Sequence, residues 1–158
     1  RKVKKKYIGL TWGLWDNAKG EINEPLLRNK KDPTKYSVNS NGKISITKYK
    51  VEKIFRHCSL VSFFPLTGRT HQIRIHASHI GHPIFGDEKY GGGISRSKGF
   101  LPEFKSHYKK IIQKFNRHAL HAEKLEFLHP INKQIVKFDS PLPQEFLDLV
   151  KSINLLNE

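Results

Sequence analysis

The sequence predicts an α+β fold with a mixed, largely antiparallel sheet. Three observations carry this. Strand-like apolar runs cluster early, at 7–12, 43–56 and 59–66; two helical patterns follow, at 70–80 and 102–115; a strand pair at 119–138 then precedes a last helix. Strands and helices are thus grouped rather than alternating, which is the α+β pattern. No internal repeat and no second domain boundary interrupts the 158 residues, a length that fits one domain.

Each element has a local reason. Tyr7, Ile8, Leu10, Thr11 and Trp12 favour a strand. Residues 16–42 read as a long basic loop, because Asp16-Asn17, Lys19-Gly20, Asp32-Pro33 and Asn39 to Gly42 are turn signals. Residues 43–56 and 59–66 read as two strands paired across Arg56–Cys58. In 70–80, Thr70 is expected to cap a helix that buries Ile73, Ala77 and Ile80 and stops at Gly81. A Gly- and Pro-rich loop runs from His82 to Gly99. Phe104, Tyr108, Ile111, Ile112 and Phe115 then mark the apolar face of a helix over 102–115. Strands at 119–128 and 134–138 form a hairpin through His129–Lys133. After Ser140-Pro141-Leu142-Pro143 comes a helix with Phe146, Leu149, Val150, Ile153 and Leu156 inward.

Composition narrows the partner. Lys plus Arg is 29 against 14 Asp plus Glu, a net charge of +15, and ten Phe, five Tyr and two Trp are too many for a disordered basic tail. A folded basic domain faces a polyanion, meaning nucleic acid or an anionic membrane surface, although a merely solvated lysine-rich surface gives the same arithmetic. No apolar run approaches 18 residues, so no membrane-spanning helix is expected. The single cysteine, Cys58, excludes an internal disulfide framework and fits a reducing, cytoplasmic setting.

The segment 67–91, TGRTHQIRIHASHIGHPIFGDEKYG, carries most of the chemistry. His71, His76, His79 and His82 suggest a metal, but only His76 and His79 have a helical ligand spacing. No metal site is expected, and a His-rich metal-dependent nuclease is the least supported rival. Arg74 lies between Ile73 and Ile75, where a cation needs an anion. That anion is a carboxylate of this chain, a carboxylate outside it, or a phosphate. Arg69 and Thr70 stand at a helix start, which favours anions. Tyr7, after Lys4–Lys6, is either a base-stacking ring or an ordinary strand tyrosine.

These stretches together resemble the RluA-type RNA pseudouridine synthases. The likeness rests on KKKYIGLTWG (4–13), TGRTHQIRIH (67–76), HIGHPIFGDEKYGG (79–92), RHALHAEKLEFLHP (117–130) and SPLPQEF (140–146). It implies a pseudouridine synthase fold with a mixed, mostly antiparallel sheet, flanking helices and an RNA cleft. It also implies isomerisation of uridine in ribosomal or transfer RNA without metal or organic cofactor, by a protein that is monomeric. Tyr7 falls on the family tyrosine that stacks on uracil and assists proton removal from C5. Arg74 falls on the arginine that pairs with the catalytic Asp. Leu125 falls on the hydrophobic residue packed under the target base, and Arg69, Thr70, His71 and Gln72 on the helix start near the RNA. Asp87 matches a position with a structural role.

One departure matters. The family's catalytic Asp sits in an Arg-Leu-Asp motif upstream of the tyrosine, and no Arg-Leu-Asp occurs in this sequence. The chain contains no Met and opens on Arg1. The expectation is therefore that residues 1–158 are the C-terminal part of a catalytic domain, inactive alone, with Arg74 lacking its partner. A non-catalytic RNA-binding protein of the same fold is the alternative.

Overall fold

A computed structural model describes residues 3–157. Its main sheet contains β1 (Lys4–Trp12), β2 (Lys19–Asn23), β5 (Ile46–Ile54), β6 (Cys58–Pro65), β7 (Leu120–Leu128) and β8 (Ile135–Asp139), with β3 (Leu26–Arg28) and β4 (Tyr36–Val38) forming a separate pair. The order across the sheet is β2-β5-β6-β1-β7-β8. Every pairing in it is antiparallel. Three helices complete the fold: α1 (Gln72–His79), α2 (Pro102–Phe115) and α3 (Gln144–Leu155).

The order of elements follows the sequence reading, with one large correction. Residues 16–42 are not a single loop: they hold β2, β3 and β4. Ile22 and Leu26 are buried and anchor this segment, and the turn between β3 and β4 is closed by Asn29 Oδ1, which accepts the amides of Lys31 and Asp32. The β3–β4 hairpin then packs on α1.

The core is built around the second half of β1. Leu10 is wholly buried and Trp12 nearly so, and the Trp12 ring stacks on Phe85 at 4.8 Å and meets Tyr108 edge-on at 5.0 Å. Helix α2 begins with Pro102 at its first turn and ends where Asn116 turns left-handed and returns its N–H to Ile112. It buries Tyr108 and Phe115, while α3 buries Phe146, Leu149 and Ile153. Phe115 and Phe146 meet edge-on at 6.0 Å and close the two helices together.

Helix α1 starts two residues later than expected. Thr70 does not cap it; His71 is the N-cap residue, in left-handed backbone at φ 55°, and no side chain caps the first turn. Thr70 is exposed. The helix is held instead by buried polar bonds. Gln72 Nε2 donates to Thr47 Oγ1 at 3.0 Å, Thr47 donates to His76 Nδ1 at 2.9 Å, and His76 Nε2 donates to the Glu24 carbonyl at 2.9 Å. A carbonyl can only accept, so Nε2 carries a proton; burial lowers the His76 pKa and favours the neutral ring, whose Nδ1 then accepts from Thr47.

Candidate functional site

The first half of β1 runs out of the core toward solvent, which places Lys5 and Tyr7 on one face of the sheet. Beside them the β1–β7 ladder slips. Lys6 lies opposite Lys124 but Tyr7 lies opposite Ala122, so Glu123 is an extra residue in β7. The Glu123 carboxylate reaches back to Lys6 Nζ at 2.8 Å. Next to this bulge is a hollow of about 250 Å³ lined among others by Lys5, Tyr7, Arg69, His71, Arg74 and Leu120.

The turn after β6 delivers the other wall. Gln72 is buried and spends its amide fully: its oxygen accepts Thr67 Oγ1 at 2.7 Å and the Arg69 amide at 3.0 Å, and its nitrogen donates to the Ile46 carbonyl at 3.0 Å and to Thr47. It braces the turn and has no amide group left for RNA. Arg69 is exposed and donates from Nε to the Ile44 carbonyl at 3.2 Å.

Arg74 has a partner, contrary to the sequence expectation. Its Nε donates to Asp87 Oδ2 and its Nη2 to Asp87 Oδ1, each at 2.8 Å. The arginine side chain is 14% exposed and the aspartate 1%. The fork-on-fork geometry is what offsets the desolvation of two charges, and the bonds to Asp87 raise the arginine's pKa further. Nη1 makes no hydrogen bond among the described residues. The Tyr90 ring supports the guanidinium at 4.9 Å.

Asp87 is held in turn by its loop. Gly86 takes φ +79°, and a Cβ there would strike the Arg117 carbonyl at 2.4 Å. The Gly92 amide donates to the Asp87 carbonyl at 2.7 Å, and Trp12 Nε1 fixes the Gly92 carbonyl at 2.7 Å. The core tryptophan thereby sets the height of the aspartate that aims Arg74.

The structure brings Tyr7, Arg69, His71 and Arg74 to one hollow. Leu125 lies elsewhere: it lines a neighbouring concavity with Phe138 and Lys124, and Lys5 is shared by both. Leu120 is the leucine beside Tyr7 and Arg74. Sequence reasoning missed it, although it stands in the same HALHAEKLEF stretch; the bulge, invisible to alternation, decides which leucine arrives. The histidines disperse. His76 is buried, His82 bonds the Trp12 carbonyl and stacks on Trp15, and His79 sits 3.9 Å from Glu24. Among the described residues no three His, Cys, Asp or Glu side chains converge as a metal site would require.

The hollow presents an aromatic ring, a leucine and cationic donors, a combination suited to a planar base attached to a phosphate backbone. No carboxylate is among its lining residues. Fold and site agree with what comparison with known proteins shows: the chain belongs to the family described as RNA pseudouridylate synthase, whose match covers residues 1–79. Among its relatives is ribosomal large subunit pseudouridine synthase D of Blochmanniella floridana, 39% identical over 150 residues, which covers 95% of this chain and 46% of that protein. The synthase D of Haemophilus ducreyi is 35% identical over 153 residues, covering 97% and 46%. The solved structure of human RNA pseudouridylate synthase domain containing 1 superposes with a TM-score of 0.68 at 29% identity, covering 89% of this chain and 55% of that one. The chain spans about half the length of the curated relatives it matches.

Proposed function

We propose that this chain supplies the base-binding wall of an RNA pseudouridine synthase that acts on uridine in ribosomal RNA. The supporting observation is the convergence of Tyr7, Arg74 and Leu120 on one hollow beside a basic strand. Ribosomal RNA is favoured over transfer RNA because the relatives carry ribosomal names. In this reading a uridine leaves its stack, at a cost of a few kcal/mol, and phosphate contacts with the lysines offset part of it. The ring of Tyr7 and the side chain of Leu120 enclose the uracil. The C1′–N1 bond breaks, the base turns, C1′ bonds to C5, the C5 proton departs and N1 gains one, so the product is an isomer.

The step that cleaves C1′–N1 needs a carboxylate. Asp87 is not placed to serve, since its side chain is only 1% exposed and it is not among the residues lining the hollow. We infer that the catalytic carboxylate lies outside these 158 residues and meets Arg74 at its unoccupied Nη1. The chain alone therefore binds RNA without converting it. The test uses RNA labelled with tritium at uridine C5. The 158-residue chain binds the RNA and releases no tritium. Release by this chain overturns the assignment of the carboxylate; failure to bind overturns the assignment of the wall.

A further inference from the structure

We propose that Tyr90 is a positioning residue that fixes His71 as a neutral donor, with its proton on Nε2, offered to an acceptor oxygen of the RNA in the Tyr7 hollow. The proposal deepens the functional reading above and rests on it.

The assignment follows from which groups can only donate. Tyr90 Oη lies 3.2 Å from the Tyr36 amide nitrogen and 2.7 Å from His71 Nδ1. A backbone N–H cannot accept, so Oη accepts from Tyr36; among the described residues Nδ1 is the acceptor in reach of the phenol proton, and donation to it satisfies both groups, whereas an Nδ1–H would leave that proton without a partner. A neutral imidazole has one N–H, which is then on Nε2. Nε2 makes no hydrogen bond among the described residues, and His71 is among the residues that line the hollow.

Geometry and electrostatics agree. His71 holds its place through left-handed backbone, φ 55°, which histidine tolerates better than most residues. Tyr90 meets the imidazole edge-on at 5.5 Å, lies under the Arg74 guanidinium, and accepts Ser78 Oγ at its carbonyl at 2.7 Å, so one residue clamps both ends of the α1 wall. Burial first, then the charge of Arg74, lowers the His71 pKa, and burial raises that of Tyr90; both are neutral at pH 7.

A fixed donor at this point has a chemical consequence. It donates to a carbonyl or phosphate oxygen and has no acceptor to offer an amino group. If the oxygen is O4 of the base, His71 separates the uracil carbonyl from the amino group that cytosine carries there; O2 is common to both bases. If the oxygen belongs to phosphate, His71 adds affinity without choosing the base.

Long-range imidazole proton–nitrogen correlation spectra of the free chain read the tautomer directly. The expected pattern is a bare Nδ1 and a protonated Nε2, lost in Tyr90→Phe. That variant should bind a short single-stranded RNA with a central uridine about fivefold more weakly, the scale of one lost hydrogen bond. A cytidine-substituted RNA separates the sources: in Tyr90→Phe an O4 contact lowers the uridine preference, whereas a phosphate or O2 contact weakens both RNAs alike. His71→Gln, whose amide reaches the Nε2 position, should retain binding that His71→Asn loses. A wild-type His71 protonated on Nδ1, or a Tyr90→Phe variant of unchanged affinity, overturns the proposal. Absence of RNA binding by the wild-type chain overturns instead the functional reading beneath it, whatever the tautomer.

Discussion

Arg74 and Asp87, thirteen residues apart in sequence, meet edge to edge through two 2.8 Å bonds at the inner end of the hollow. The pair is formally neutral, so Arg74 can serve an incoming carboxylate mainly by direction, through its free Nη1, rather than by surplus charge.

Breaking this pair should be costly. Asp87→Asn leaves a guanidinium largely buried without its counter-charge, and about 3 kcal/mol of stability is expected to go. The urea midpoint measures it. Adding Arg74→Met to Asp87→Asn should recover part of the loss, because the stranded charge is then removed. A double variant weaker than the unaltered chain by the full sum of the two single effects would refute the coupling.

Gln72 should prove structural rather than RNA-binding. Gln72→Leu deprives Thr67, Thr47, Ile46 and Arg69 of hydrogen-bond partners at once. A loss of about 2–3 kcal/mol is expected, or roughly 5–10 °C in Tm for a chain of this size. Differential scanning calorimetry decides it; an unchanged Tm with weakened RNA binding would return Gln72 to the recognition surface.

Stability should fall on the acid side of neutrality. Burial lowers the pKa of His76, and likewise of His57, His71 and His118, below the ordinary 6.5. As pH drops below about 6.5 the unfolded chain takes up protons that the folded one refuses, so unfolding becomes easier. Above that pH these groups contribute no slope. Urea midpoints at pH 7.5 and 5.5 should differ, the lower pH being the less stable; the reverse order would refute the buried neutral state of these rings.

RNA binding should respond to charge by place and not only by sum. Lys5 lines both the hollow and the concavity next to it, whereas Lys109 is exposed on α2. Both Lys→Glu changes alter net charge equally. Lys5→Glu should reduce the slope of log affinity against log salt by about 0.7, one single-strand phosphate contact, and Lys109→Glu should not. Equal slopes would reduce the basic wall to diffuse attraction.

Much of the frame was legible in the sequence. Helix α2 occupies the 102–115 range that its apolar spacing predicts, and the β5–β6 and β7–β8 hairpins lie where their turn residues put them. The strands β2 to β4 were hidden because they are only three to five residues long and sit among Asn, Asp and Gly; buried Ile22 and Leu26, not alternation, hold them. At the site, Tyr7 and Arg74, the residues that the motifs single out, both line the hollow. The pairing of Arg74 with Asp87 was not legible, because it depends on how the Gly86–Gly92 loop folds back over Trp12. Nothing in local periodicity encodes that return.

The extra residue in β7 has a consequence for how this region tolerates change in length. Leu120 and Leu125 are five apart, and in an unbroken strand they would point to opposite faces. Because Glu123 is looped out of register, both lie across from odd-numbered positions of β1, Gly9 and Lys5, and so look the same way as Tyr7. Loss of that single codon would therefore leave the two leucines four apart in a regular ladder and on the same face. One further residue inserted beside Glu123 would instead roll one half of β7 inside out, exchanging the apolar lining for Lys124 and its charged neighbours, whereas substitution of Glu123 would leave the orientation of every other side chain in place.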